Sequence, residues 1–160
     1  MRHLTFYQFH TNGYLELTFS NNVTRIIQLT ENSGRIVTRK KRDVKLDINH
    51  PGIYIGVDIE REEPIILHNH YKIFKTAGVS PLREYAAGER VNWDNRVCVN
   101  NKFQVVQNGL DQAIKRESYR WLKYNCQITV NQACSNERRS EDIEKWVKRL
   151  VVGIITAIAV

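Results

Sequence analysis

The residues best suited to do chemistry are one cysteine and three histidines. Cys126 follows Asn125, a residue type that commonly caps helices, so the sequence predicts a helix that begins at Cys126. A thiolate at a helix N-terminus is stabilised by the helix dipole and the N–H groups there, which lowers the pKa of the thiol. The same N–H groups are suited to hold the oxyanion of an acyl substrate. This position therefore favours a nucleophilic thiol.

A thiol nucleophile needs a base, and histidine is the usual one. His50 precedes a predicted strand by two residues, and His68 and His70 lie at or just past the end of the next strand. Neighbouring strands would place one imidazole beside the thiol and another behind it. His68 and His70 share a face if their strand continues that far, so either fits the second position. Taken singly, each residue also fits a packing or surface role.

The elements that must position these side chains are strands in the first half of the chain. Asn12 and Gly13 separate two apolar segments and are typical of a two-residue hairpin turn. The charged residues 58–63 predict an exposed loop, the basic run 39–42 predicts a solvated strand end or loop, and residues 77–101 show no clean period. The predicted strands cover residues 4–10, 14–19, 23–29, 53–57 and 65–68.

The second half of the chain reads as helical. Four apolar residues recur at helical spacing: Phe103, Val106, Leu110 and Ile114. Gly109 interrupts this stripe at a cost of about 1 kcal/mol relative to alanine. Ser140, followed by two acidic residues, predicts the cap of a last helix. Strands followed by helices favour an α+β fold, with a small antiparallel β-sheet packed against helices.

Length and composition limit the function classes. The chain has 160 residues, of which 42% are hydrophobic, so it is one core-forming domain and neither disordered nor fibrous. Lys and Arg number 24 against 17 Asp and Glu, which gives a net charge of +7. This balance favours an anionic partner: an anionic membrane surface, an acidic substrate or nucleic acid. The basic residues beside the apolar C-terminal segment favour a membrane surface over nucleic acid.

The cysteine count argues against a closed disulfide framework. The chain has three cysteines, Cys98, Cys126 and Cys134, so they cannot all pair with one another. The sequence contains no CxxC motif of the kind that binds zinc. We therefore expect a reducing compartment, with Cys98 and Cys134 as packing residues and Cys126 available for chemistry. We expect no metal and no cofactor.

The two ends of the chain differ in character. Residues 1–10 lack the apolar segment of an export signal, so we expect a cytoplasmic location. Residues 150–160 are uncharged and follow Lys145, Lys148 and Arg149, but a membrane-spanning helix needs roughly 20 apolar residues. The tail is therefore a helix buried in the core or in a partner, a peripheral contact with an anionic membrane, or a segment cut short.

Four short motifs, in this order, resemble the lecithin:retinol acyltransferase (LRAT)-like family, a permuted branch of the papain-like (NlpC-type) amidases. His-Pro-Gly-Ile-Tyr-Ile-Gly at residues 50–56 resembles the family's His-x-(Gly/Ala)-Ile-Tyr-(Val/Leu)-Gly strand. Ile-Ile-Leu-His at 65–68 is similar to its second histidine strand. Val-Asn-Asn-Lys at 99–102 resembles a stretch of animal phospholipase/acyltransferase members, and Tyr-Asn-Cys-Gln at 124–127 resembles the Asn-Cys-Glu-His-Phe box.

The resemblance implies a role for each candidate residue. Cys126 would be the nucleophile, His50 the general base that later protonates the leaving group, and His68 the residue that orients His50. The intermediate would be an acyl-thioester, resolved by water or by an acceptor. Residues 41–145 would form the catalytic domain, with residues 1–40 as an N-terminal β segment of the same domain and 146–160 as an apolar helix or tail.

The sequence also departs from the family pattern. The residues after the cysteine are Gln127, Ile128 and Thr129 instead of Glu-His-Phe. The expected function is a cysteine-dependent hydrolase or acyltransferase, with a lipid or another acyl ester or amide as substrate. The alternatives are a peptidase or amidase of the same fold and a binding module that has lost the chemistry.

Overall fold

The computed structural model describes residues 3–40, 49–70, 75–118, 125–137, 144–145 and 147–148. Within them the chain is α+β, as the sequence predicts, with an open antiparallel sheet of eight strands and three helices. The strands are β1 (Leu4–Phe9), β2 (Tyr14–Phe19), β3 (Thr24–Gln28), β4 (Ile36–Lys40), β5 (Asn49–Asp58), β6 (Glu63–His70), β7 (Thr76–Pro81) and β8 (Val91–Trp93). The helices are α1 (Leu82–Ala86), α2 (Lys102–Lys115) and α3 (Cys126–Ser135).

Strand β5 is the centre of the sheet. Its first half pairs with β4, which carries β8 on its other side, and its last two residues pair with β3. Its second half also pairs with β6, which in turn pairs with β7. The strands β1, β2 and β3 form a meander joined to this centre through β3. The histidine-bearing strands are therefore direct neighbours.

The main core lies between one face of the sheet and helices α2 and α3. In β2, Leu15 and Leu17 alternate with more exposed residues and are fully buried. They belong to the same apolar cluster as Ile53, Ile55 and Leu67 of the central strands, and α2 and α3 contribute to it from the other side. The first 40 residues thus share a core with the rest of the chain.

Helix α2 approaches the sheet most closely at Gly109. A Cβ at this position would lie 3.0 Å from Ile53 Cδ1 and 3.3 Å from Leu67 Cδ1. The glycine that weakens the helix therefore allows a tight contact between the helix and the sheet.

A smaller cluster lies on the opposite face of the sheet. It consists of Val37, Ile66 and Tyr85 of α1. Because side chains alternate along a strand, His68 shares the face of Ile66 and not that of Leu67. The alternation therefore places the histidine on the Tyr85 side.

The predicted strands are confirmed, but the two histidine strands are longer than expected. His50 lies inside β5 and is paired with Arg39 of the neighbouring strand β4. The prediction that His50 precedes the strand is therefore wrong. Residues 77–101, which showed no period, contain most of β7, all of α1 and β8. These short elements have no pattern of their own because their partners are distant in sequence.

Two predictions of exposure are wrong. Arg39, in the basic run expected to be solvated, is only 6% exposed. Asp58, expected in an exposed loop, is buried at the end of β5. Its carboxylate accepts hydrogen bonds from the N–H groups of Glu60 and Arg61 at 3.0 and 3.2 Å and pairs with Arg25 at 3.6 Å.

Two of the three predicted helices are confirmed. Asn101 caps α2 in a capping box with Gln104, and Asn125 caps α3, which begins at Cys126. The predicted cap at Ser140 and the apolar residues 150–160 lie outside the described residues. Within the described part of the chain, no helix has the length and apolar character needed to cross a membrane.

Candidate active site

Two buried imidazoles lie in contact at one end of the sheet. His50 Nε2 is 3.0 Å from His68 Nδ1, and the two rings are nearly perpendicular, with an angle of 82°. The residues are 1% and 0% exposed. The structure therefore brings together the two histidines selected from the sequence. His70 lies on β6, but its side chain is outside the described part.

The hydrogen bonding continues from His68 to a serine on the next strand. His68 Nε2 lies 2.9 Å from Ser80 Oγ. In one self-consistent arrangement, His50 Nε2–H donates to His68 Nδ1 and His68 Nε2–H donates to the serine oxygen. In that tautomer His50 Nδ1 carries the lone pair. Nothing in the sequence pattern points to Ser80, because only the pairing of β6 with β7 brings it to this face.

Tyr85 of α1 packs against both imidazoles. Its ring centroid lies 5.6 Å from that of His50 and 5.1 Å from that of His68. Its hydroxyl contacts the carbonyl oxygens of His50 and Val37, the latter at 3.2 Å. Tyr85 thus fixes both the backbone and the ring of His50. It lies in the segment without a period, so the sequence did not single it out.

The ionisation of Tyr85 also relates the thiol to the histidines. Burial raises the pKa of Tyr85 far above its usual value; the Arg39 charge opposes the rise, and the charges of Cys126 and Asp94 add to it. The thiol thus contributes to the pKa shift of a ring that packs against both imidazoles.

Arg39 is a buried cation beside this group. Its guanidinium carbon lies 5.7 Å from the centre of the Tyr85 ring, and Nη1 donates to the Lys40 carbonyl oxygen at 3.2 Å. Within the described chain, no carboxylate lies at ion-pair distance from it, and its buried Nε donates no hydrogen bond. Its hydrogen-bond partner among the described residues is a neutral acceptor, and a buried positive charge in such surroundings favours a nearby anion.

The N-terminus of α3 is closed by its cap. Asn125 Oδ1 accepts hydrogen bonds from the N–H groups of Gln127 and Ile128, at 2.9 and 3.1 Å. These two N–H groups are engaged in the cap, and the expectation that N–H groups of this turn hold an oxyanion stays a prediction. Cys126, the first helical residue, is 5% exposed.

A hydrogen bond ties the first turn of α3 to the histidine end of the sheet. Asn69, which follows His68, donates from Nδ2 to Thr129 Oγ1 at 3.1 Å. Thr129 lies three residues after Cys126, so the two side chains are neighbours on the helix surface. The start of α3 thus lies where β5 begins and β6 ends.

The other two cysteines are not independent packing residues. Cys98 and Cys134 form a disulfide, which corrects the expectation from the sequence and leaves Cys126 as the cysteine outside it. This bridge joins the segment before α2 to the C-terminal part of α3. Its Cys134 end lies eight residues after Cys126 on the same helix, about 12 Å along the helix axis.

Within the described residues, no group of three or more His, Cys, Asp or Glu side chains could hold a metal ion. Comparisons with protein-family models, curated proteins and solved structures found no match for this chain.

Proposed function

We propose that the chain is a cysteine-dependent hydrolase or acyltransferase in which Cys126 forms an acyl-thioester. The observation that carries this proposal is the hydrogen-bonded series His50–His68–Ser80, buried at the end of the sheet where α3 begins. The proposal includes a permuted papain-like arrangement and membership in the acyltransferase-like family that the motifs resemble. It also includes Cys126 as nucleophile and His50 as base.

The reaction proceeds in two steps. His50 Nδ1 takes the proton of the Cys126 thiol, and the thiolate attacks the acyl carbon. The tetrahedral intermediate expels an alcohol or amine, which takes that proton from His50 as it leaves. Water or an acceptor then attacks the thioester, His50 removes its proton, and the regenerated thiolate recovers it. Throughout, His68 accepts the Nε2–H bond of His50 and stabilises the imidazolium.

Two features of the site favour the charged states of this reaction. The dipole of α3 acts on a thiolate at its first residue even though the cap engages the next two N–H groups. Arg39 adds a buried positive charge without a carboxylate at ion-pair distance in the described chain. A cation in a low-dielectric site stabilises both a thiolate and a developing oxyanion.

The proposed substrate is an acyl lipid or another acyl ester or amide. The apolar residues 150–160, preceded by Lys145, Lys148 and Arg149, would bring the protein to an anionic membrane surface from the cytoplasm. A panel of esters and peptides separates lipid turnover from the peptidase or amidase alternative, because both use the same thiol and base.

The test compares Cys126→Ala, His50→Ala and the matched control His10→Ala. His10 lies at the surface, 3.4 Å from Glu16. We expect Cys126→Ala and His50→Ala to lower acyl-ester turnover by about 100-fold or more, and His10→Ala to leave it unchanged. The pH dependence of alkylation gives an independent readout: the Cys126 thiol should titrate below its usual pKa of about 8.5 and shift upward in His50→Ala.

Two results would contradict the proposal. One is a Cys126 thiol whose pKa is near 8.5 and does not change in His50→Ala. The other is an experimental structure in which the Cys126 sulfur lies on the face of the sheet opposite to His68. The body of α3 packs on that opposite face through Val130 and Ala133.

The burial of the site favours a second candidate. Cys126, His50 and His68 are each at most 5% exposed, which suits a binding module that kept the fold without turnover. A Cys126→Ala variant that retains the protein's cellular effect would support this candidate over the enzyme.

A further inference from the structure

A cleft of about 340 Å³ lies away from the histidines, where the β3–β4 turn faces the start of α2. Its charged lining comprises Arg35, Arg96, Lys102 and Asp94. Asp94 is the one acid among the described residues that line it. The described lining therefore carries three cations and one carboxylate.

Neutral acceptors hold two of the three cations. Arg35 donates from Nη1 to Asn32 Oδ1 at 3.0 Å, and its guanidinium lies 4.4 Å from the centre of the Trp93 ring. Lys102 donates from Nζ to the carbonyl oxygen of Glu31 at 2.5 Å. These contacts orient the cations without neutralising them, because an amide or carbonyl oxygen carries no net charge.

The third cation is partly compensated. Arg96 donates from Nη1 to the side-chain oxygen of Asn131 on α3, and its Nη2 lies 3.7 Å from Asp94 Oδ2. Asp94 is the one carboxylate among the described lining residues, so the three cations leave a surplus of two positive charges there. Uncompensated and preoriented cations of this kind are typical of sites for phosphate groups.

Both walls of the cleft are fixed by the fold. On one side Gly34, with φ of +85°, lies so close to α2 that a Cβ would stand 2.4 Å from the Lys102 carbonyl oxygen. On the other side Asn100 donates from Nδ2 to the Ala133 carbonyl oxygen at 2.8 Å, and the disulfide of Cys98 ties the same segment to α3. The cleft is therefore formed before any ligand arrives.

We infer that this cleft binds a phosphate group through Arg35, Arg96 and Lys102. Arg guanidinium groups match the oxygens of a phosphate with paired N–H donors, and a lysine adds a point charge. The site does not involve Cys126 or the histidines, so it stands or falls independently of the proposed function.

The test is calorimetric titration of pyrophosphate into the full chain at 0.1 M salt. Lys102→Gln should weaken binding about tenfold, as for the loss of one charge-assisted hydrogen bond, whereas Lys102→Arg should retain it. Lys115→Gln is the matched control, since it removes the same charge from the other end of α2, about 20 Å away and beyond the screening length.

Arg35→Gln provides a second variant on a different element, and Cys126→Ala should bind pyrophosphate like the wild type. Sedimentation with phosphatidylglycerol vesicles separates the sources of the phosphate. Loss of vesicle binding in Lys102→Gln indicates a lipid headgroup, and unchanged vesicle binding with weakened pyrophosphate binding indicates a soluble ligand. The inference is overturned if the wild type binds no pyrophosphate, if Lys102→Gln and Arg35→Gln bind normally, or if Lys115→Gln weakens binding equally.

Discussion

At the scale of single residues, Ser80 completes the buried histidine pair. Each imidazole has a donor and an acceptor nitrogen when neutral, so a pair of them needs an end group that suits either tautomer. A hydroxyl meets this requirement because it both donates and accepts. Ser80, 2.9 Å from His68 Nε2, therefore holds the orientation in which His68 faces His50.

Ser80→Ala tests this role. Removal of the hydroxyl leaves a buried imidazole nitrogen without this hydrogen bond, which should lower the free energy of unfolding by about 1–3 kcal/mol. It should also raise the pH at which Cys126 is alkylated, because His50 loses its orientation. Ser33→Ala is the matched control: Ser33 is buried, and its Oγ accepts the N–H of Thr30 at 2.8 Å. It should lose stability without any change at Cys126.

A second prediction concerns the buried cation. Arg39→Met removes a charge that has no carboxylate at ion-pair distance among the described residues, so we expect an unchanged or higher free energy of unfolding. The same variant should raise the pH of Cys126 alkylation, since a thiolate loses a stabilising charge. Denaturant unfolding and alkylation rates measure the two effects. A loss of about 3 kcal/mol or more would show that Arg39 is half of a buried pair.

At the scale of elements, what the sequence predicts depends on where each element finds its partners. The hairpin at Gly13 and the cap at Asn125 are local, and both were predicted. Strand β7 is buried on both faces and is held by its pairing with β6. Its sequence therefore lacks the alternation of apolar and polar residues that predicts a strand. The contacts of Ser80 and Tyr85 with the histidines arise only through such pairing and could not be predicted.

The contact of Gly34 with α2 gives the prediction at this scale. Gly34→Ala and Gly13→Ala impose the same backbone strain, since their φ values are +85° and +82°. At Gly13 nothing lies within 4 Å of the added Cβ, whereas at Gly34 the backbone of Lys102 would have to move. We expect a loss of about 1 kcal/mol for Gly13→Ala and about 3 kcal/mol or more for Gly34→Ala. Equal losses of stability for the two variants in thermal unfolding would mean that α2 moves away from the added Cβ at no cost.

At the scale of the whole molecule, the first strands of the chain pack against helix α2 and the main core. Residues 1–40 match no motif, yet Leu15 and Leu17 lie in the main core, and Tyr7 of β1 donates its O–H to Asp111 of α2 at 2.6 Å. The sequence predicts the meander, but not that it docks against α2. Docking is set by shape and by polar contacts such as this one, between residues 104 positions apart.

This contact makes stability depend on alkaline pH. Burial, followed by the hydrogen bond to Asp111, raises the pKa of Tyr7 from 10.0 to about 12. The folded state therefore holds the phenol proton more tightly than the unfolded state, and the stabilisation is complete below pH 10 and lost between about pH 10 and 12. At pH 8, Tyr7→Phe should lower the free energy of unfolding by about 1–2 kcal/mol. The gap between the two proteins should close as the pH rises through that window, because an ionised phenol beside the Asp111 carboxylate is repelled. Other groups that titrate between about pH 10 and 12 affect the wild type and Tyr7→Phe equally, so their contributions cancel in the difference. A gap that stays constant up to pH 12 would mean that the phenol does not hold β1 against α2.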